Sequence, residues 1–136
     1  MHKEIYKDEG YRFMGAAFEV YNDRGYGMAE EVYQECLEFE LELRGISFRA
    51  QQEIKCFYKG RELKKRYVPD LVVCDVLVVE LKAVSVLCPE HEAQLINYLR
   101  ITRQPVGYLV NFGHKGGLEW KRFTLSELIG TREEER

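Results

Sequence analysis

Three ionisable residues stand in a stretch that is otherwise almost wholly apolar. Asp70, Glu80 and Lys82 punctuate the run from Val68 to Lys82, whose remaining positions are mostly valine and leucine. Two Val-rich segments around a polar dip at Cys74-Asp75 read as strands joined by a tight turn. Strands of this composition sit deep in a sheet, where a charge is costly unless paired, protonated or bound to a cation. Two carboxylates beside an ammonium group could hold a hard cation between them. The plain alternative is a hairpin whose charges reach water at its edge.

Strand geometry decides whether the three can meet. Side chains alternate between faces, so Glu80 and Lys82 share one. A three-residue loop, Cys74 to Val76, pairs Val73 with Leu77 and Asp70 with Glu80, all on that face; a two-residue loop separates them. An odd loop or a bulge is therefore predicted. The carboxylates then lie roughly 5 Å apart at Cβ, and they repel unless a cation sits between them. Oxygen ligands with open water positions suit Mg²⁺ or Mn²⁺.

The remaining elements must position this hairpin. Tyr11, Met14, Phe18 and Tyr21 give helical spacing from about Asp8 to Asn22, and Gly25-Tyr26-Gly27 ends it. A second helix is predicted from about Ala29 to Leu43, stopped by Gly45. Glu30 opens it, either as an acid favoured by the helix dipole or as a further carboxylate facing the hairpin. A strand follows near Glu53–Tyr58, then a turn at Lys59–Glu62, then a strand that begins near Lys65 and runs into the hairpin. From Arg49 to Arg66 basic residues outnumber acidic ones by five, in a chain of net charge −3. Lys64, Lys65 and Arg66 are the members nearest Asp70. The stretch is either a solvated face or a phosphate-contacting patch.

Beyond Lys82, a loop to Cys88 and Pro89 lead into a helix over Glu90–Thr102. His91, Gln94 and Tyr98 share one of its faces. That face is either an ordinary polar one or a place where Gln94 and Tyr98 meet phosphate or base, with His91 binding phosphate or shuttling a proton. Val106–Phe112 reads as a buried strand, Leu118–Thr124 as a last strand, and Ser126–Ile129 as a short terminal helix.

Composition bounds the function. A chain of 136 residues fits one domain, spanning 1–130 with a frayed tail at 131–136. Its 46% apolar content supports a core without staples. The negative total excludes a globally basic nucleic-acid binder. Four dispersed cysteines without a CxxC pair argue against a zinc knuckle and fit a reducing cytoplasm. No apolar run approaches ~18 residues, so no membrane span is expected.

Pro69-Asp70 followed by Glu80-Leu81-Lys82 resembles the PD-(D/E)XK nuclease signature. The order of elements contains an αβββαβ core with an extra N-terminal helix, a mixed-sheet α/β fold similar to that of restriction endonucleases. Gly27-x-x-Glu30-x-x-Tyr33, Val68-Pro69-Asp70-Leu71, Val79-Glu80-Leu81-Lys82, His91 to Leu99 and Gly107 to Gly113 together resemble the GxxExxY family of that superfamily. Gln94-x-x-x-Tyr98 is also similar to the QxxxY element of recombination-type exonucleases. The resemblance implies a metal-dependent nuclease site. Asp70 and Glu80 would hold Mg²⁺ or Mn²⁺ with the Leu81 carbonyl, Lys82 would orient water and offset phosphate charge, Glu30 would bind metal or water, and Gln94 and Tyr98 would line the site.

Two other readings remain at this point. The same fold can serve as a catalytically silent module that binds nucleic acid or protein. Paired carboxylates can also hydrolyse glycosides, which needs neither Lys82 nor a metal. The expected partner is nucleic acid, DNA before RNA, and a small domain with little room for a substrate clamp could pair as a homodimer.

Overall fold

The structure, a computed structural model, describes residues 4–128. Two helices come first, α1 (Lys7–Arg24) and α2 (Glu30–Leu43). Five strands follow: β1 (Phe48–Ala50), β2 (Ile54–Tyr58), β3 (Arg61–Tyr67), β4 (Leu71–Val73) and β5 (Leu77–Lys82). Then come α3 (Pro89–Thr102), β6 (Val106–Asn111) and β7 (Glu119–Thr124). Helical residues resume at Ser126; the expected continuation through Ile129 and the tail at 131–136 lie outside the described residues.

A five-stranded mixed sheet in the order β1-β4-β5-β6-β7 forms the centre. β4 and β5 pair antiparallel, β5 and β6 parallel, and the α3 crossover makes that parallel step possible. Parallel neighbours are covered on both faces, and the β5 sequence shows it. Leu77, Val79 and Leu81 pack under α1 and α2 with Phe13, Ala17, Tyr33 and Leu37. Val78 points the other way, into a cluster with Leu109, Leu95 and Leu99 of α3, and Cys56 and Tyr67. Close approach of α3 depends on Gly107: a Cβ there would lie 2.9 Å from a Leu99 methyl.

The hairpin register is the expected one. Val73 pairs with Leu77, Val72 with Val78 and Leu71 with Val79. The loop is Cys74-Asp75-Val76, closed by a bond from the Val76 N–H to the Val73 carbonyl at 3.1 Å. Cys74 and Asp75 both take left-handed backbone angles (φ 54° and 61°). Asp75 tolerates that conformation better than most residues.

Two expectations about the strands need correction. The strand near Lys65 does not run into the β4–β5 hairpin. It is part of β3, which pairs only with β2 in a separate two-stranded sheet, and the turn before it is tighter than expected, with β3 already under way at Arg61. Val68-Pro69 breaks the chain between β3 and β4, since proline has no N–H for a ladder. The third strand of the αβββαβ core is instead β1, which pairs with β4 and which the sequence did not announce. The core is thus α2-β1-β4-β5-α3-β6, with β2–β3 inserted between its first two strands and packed on α3.

Candidate active site

Continuing the β4–β5 register by one pair sets Asp70 opposite Glu80, on the face shared with Lys82. The two acids then exchange bonds across the hairpin. The Leu81 N–H donates to Asp70 Oδ2 at 2.7 Å, and the Asp70 N–H donates to Glu80 Oε1 at 3.1 Å. The Tyr67 hydroxyl donates to the same Glu80 oxygen at 2.9 Å. One oxygen of each carboxylate is therefore occupied by protein donors, and the other of each is left for a further partner.

Electrostatics agree with this convergence. Burial, reinforced by Asp70, pushes the Glu80 carboxyl up to about 7, against the bonds from Tyr67 and Asp70 and the Lys82 charge. Burial also raises Asp70, opposed by the Leu81 N–H and by Lys82. Burial and the Glu80 charge push the Tyr67 phenol upward, so it stays protonated and keeps its donor. Two half-buried carboxyls raised in this way lack positive charge nearby beyond Lys82.

Glu30 belongs to the same field. Burial raises its carboxyl, the neighbouring Asp70 raises it further, and Lys82 lowers it. α2 is tied to the acid hairpin by Gln34 and anchored elsewhere by Tyr33. Gln34 donates to the Asp70 carbonyl at 2.9 Å. Tyr33 is fully buried, stacked on Phe112 at 4.8 Å, and its hydroxyl bridges the Gly25 carbonyl (2.5 Å) and the Met28 N–H (3.2 Å). The turn before Glu30 is thereby fixed by Tyr33, and Gly27 within it takes a positive φ of 103° that suits glycine. A cleft of about 490 Å³ opens between Glu30, Gln34, Glu38, Gln51 and Asp70. The larger cavity, about 1000 Å³ near Tyr11, Phe18 and Trp120, does not include the acids.

The other expected residues divide. Tyr98 does reach the acid face, but its ring lies flat on Tyr67 (centroids 4.1 Å, planes 14° apart), and Gln94 donates to the Tyr98 hydroxyl at 3.4 Å. His91 Nδ1 accepts the Cys88 N–H at 3.2 Å and so caps α3. Arg66 is tied to Glu62 (2.9 Å) and to the Leu63 carbonyl (3.0 Å) within its own hairpin. Lys64 and Lys65 are exposed.

Sequence reasoning missed Tyr67, Gln34 and Asn111. Asn111 pairs with Lys82 in the β5–β6 ladder and is fully buried. Its side chain accepts from the N–H groups of Val84 (2.9 Å) and Gly113 (3.0 Å) and donates to the Val84 carbonyl (2.9 Å) and Glu119 (2.8 Å). The loop leaving Lys82 is thus sewn to β6. No spacing in the chain marked Tyr67; only its burial in the fold shows a phenol that needs an acceptor.

The donor set fits a divalent ion. Among the described residues no group of three or more His, Cys, Asp or Glu forms a ready cage. Mg²⁺ needs none: one or two carboxylates suffice when water and substrate phosphate complete its shell.

A sequence model of the PD-(D/E)XK nuclease superfamily matches residues 7–123, and the chain belongs to that superfamily. The mixed sheet with helices on both faces is its restriction-endonuclease-like fold. Among solved structures the chain is similar to the crystal structure of SSO0001, at 19% identity and a TM-score of 0.55, covering 77% of this chain and 55% of that one. The chain therefore spans about half the length of that structure. It is also similar to an alkaline exonuclease (LHK-Exo) from Laribacter hongkongensis, at 12% identity and a TM-score of 0.49, covering 99% of this chain and 77% of that one. Comparison with curated proteins gives no match. No described helix is long and apolar enough to cross a membrane.

Proposed function

We propose that this chain is a metal-dependent phosphodiesterase of the GxxExxY kind, acting on nucleic acid and on DNA before RNA. One observation carries the reading: Asp70 and Glu80 lock each other across the hairpin with one oxygen of each left over, beside Lys82. Asp70, Glu80 and the Leu81 carbonyl would hold Mg²⁺ or Mn²⁺, with Glu30 binding the ion or its water. The ion, when bound, would supply an activated water and a Lewis acid at phosphorus. The Lys82 ammonium orients the attacking water and opposes charge that builds on the phosphate oxygens.

Charge distribution supports one direction for the strand. α2 presents Glu30, Glu31, Glu35 and Glu38 beside the site, which repel a phosphate backbone. The β2–β3 hairpin presents Lys64 and Lys65. The strand runs past the hairpin, where these lysines neutralise flanking phosphates. Four unpaired cysteines support a reducing compartment such as the cytoplasm.

The test is incubation of the purified protein with DNA or RNA and Mn²⁺, comparing wild type with Lys82→Ala and Asp70→Asn. Cleavage by wild type alone, abolished by a chelator, is expected. Cleavage that survives both substitutions sinks the reading, and binding without cleavage by any of them points to a silent module.

A further inference from the structure

We infer that Tyr67, buttressed by Tyr98, is a positioning residue that selects which oxygen of Glu80 faces the cation; the inference rests on the nuclease reading above. Tyr67 is 5% exposed and ends β3, Glu80 lies on β5, and Tyr98 lies on α3. Three elements therefore meet at one carboxylate. The Tyr67 hydroxyl and the Asp70 N–H both donate to Glu80 Oε1, at 2.9 and 3.1 Å. A carboxylate tied twice through one oxygen does not turn to chelate through both. Glu80 would then offer the ion Oε2 alone, with water and phosphate supplying further donors.

Tyr98 sets the direction of the Tyr67 hydroxyl. The two rings stack at 4.1 Å with 14° between planes, and Gln94 reaches the Tyr98 hydroxyl. Tyr98 thus acts on the acid through its stack on Tyr67 rather than by touching substrate. Groups that orient metal ligands in this way change metal affinity about 10–100-fold when removed.

The experiment is Mn²⁺ titration by calorimetry on the full chain, without nucleic acid, with thermal melting of each variant alongside. Tyr67→Phe keeps the ring and the stack and loses only the donor. It is expected to bind Mn²⁺ at least about tenfold more weakly than wild type, and Tyr98→Ala is expected to weaken binding as well. Tyr98→Phe keeps the stack and is expected to retain wild-type affinity. Wild-type affinity in Tyr67→Phe, while Glu80→Gln loses the metal, overturns the inference and leaves the nuclease reading standing. No Mn²⁺ binding by wild type overturns both. Should Tyr67→Phe melt before titration, Tyr98→Ala is read in its place, and wild-type affinity there overturns the buttress.

Discussion

The Leu81 N–H meets Asp70 Oδ2 at 2.7 Å, so a backbone donor on one strand is capped by the acid of the other. This bond gives Asp70 a structural part besides the chemical one proposed for it. Asp70→Asn keeps an acceptor for Leu81 and loses the charge, whereas Asp70→Ala leaves a buried N–H unpaired. We expect Asp70→Asn to melt near wild type and Asp70→Ala to lose about 1–3 kcal/mol in urea unfolding. Both should lose Mn²⁺-dependent cleavage. Equal stabilities would mean that the bond contributes nothing.

Stability of the metal-free protein should fall as pH rises. The Glu80 carboxyl is raised from 4.5 to about 7 in the fold. The folded state therefore binds the proton more tightly than the unfolded chain, and the stabilisation is complete below the unfolded value. It is lost as pH climbs from there through about 7, by about 3 kcal/mol at most. Asp70 and Glu30 shift the same way and add to the trend. Chelated protein melted across this window should show a declining midpoint, and Glu80→Gln should flatten the decline. A midpoint that rises through the window contradicts the assignment.

Salt dependence of DNA binding locates the strand. Lys64→Ala and Lys65→Ala should each lower the slope of log affinity against log salt by about 1. Arg66→Ala should change it less, because Arg66 is already paired with Glu62. Slopes unaltered in both lysine variants would move the nucleic acid away from the β2–β3 hairpin.

Gly113 tests the loop after Lys82. A Cβ at that position would sit 2.5 Å from the backbone of Ala83 and Val84. Backbone cannot move aside as a side chain can, so Gly113→Ala should cost about 1–3 kcal/mol in thermal unfolding. Tyr33→Phe is the matching test at Glu30. Loss of its bonds to Gly25 and Met28 should cost about 1 kcal/mol and speed hydrogen exchange at Met28.

Much of the site was legible because the hairpin obeys a parity rule. The three-residue loop sets Val73 opposite Leu77, and counting back from that pair carries Asp70 to Glu80. The helices were legible from their apolar spacing. β1 was not: Ile46 to Ala50 alternates, but only three residues of it are paired, and its partner β4, more than twenty positions later, is what makes it a strand. Tyr67 was hidden for a different reason. Val68-Pro69 interrupts the alternation, so no count along the chain can tell which way Tyr67 points. Tyr98 was placed on its correct helix face, but its neighbour comes from 31 positions earlier in the chain, and periodicity carries no such information.

The β2–β3 insertion has a consequence for how such a protein diversifies. It shares no ladder with the central sheet, and its tip at Lys59-Gly60 lies at the far end from Tyr67. Residues can be gained, lost or recharged at that tip without shifting the register of β4 and β5. A surface contact made at that tip can therefore change while the end of the insertion at Tyr67 stays anchored beside the carboxylates.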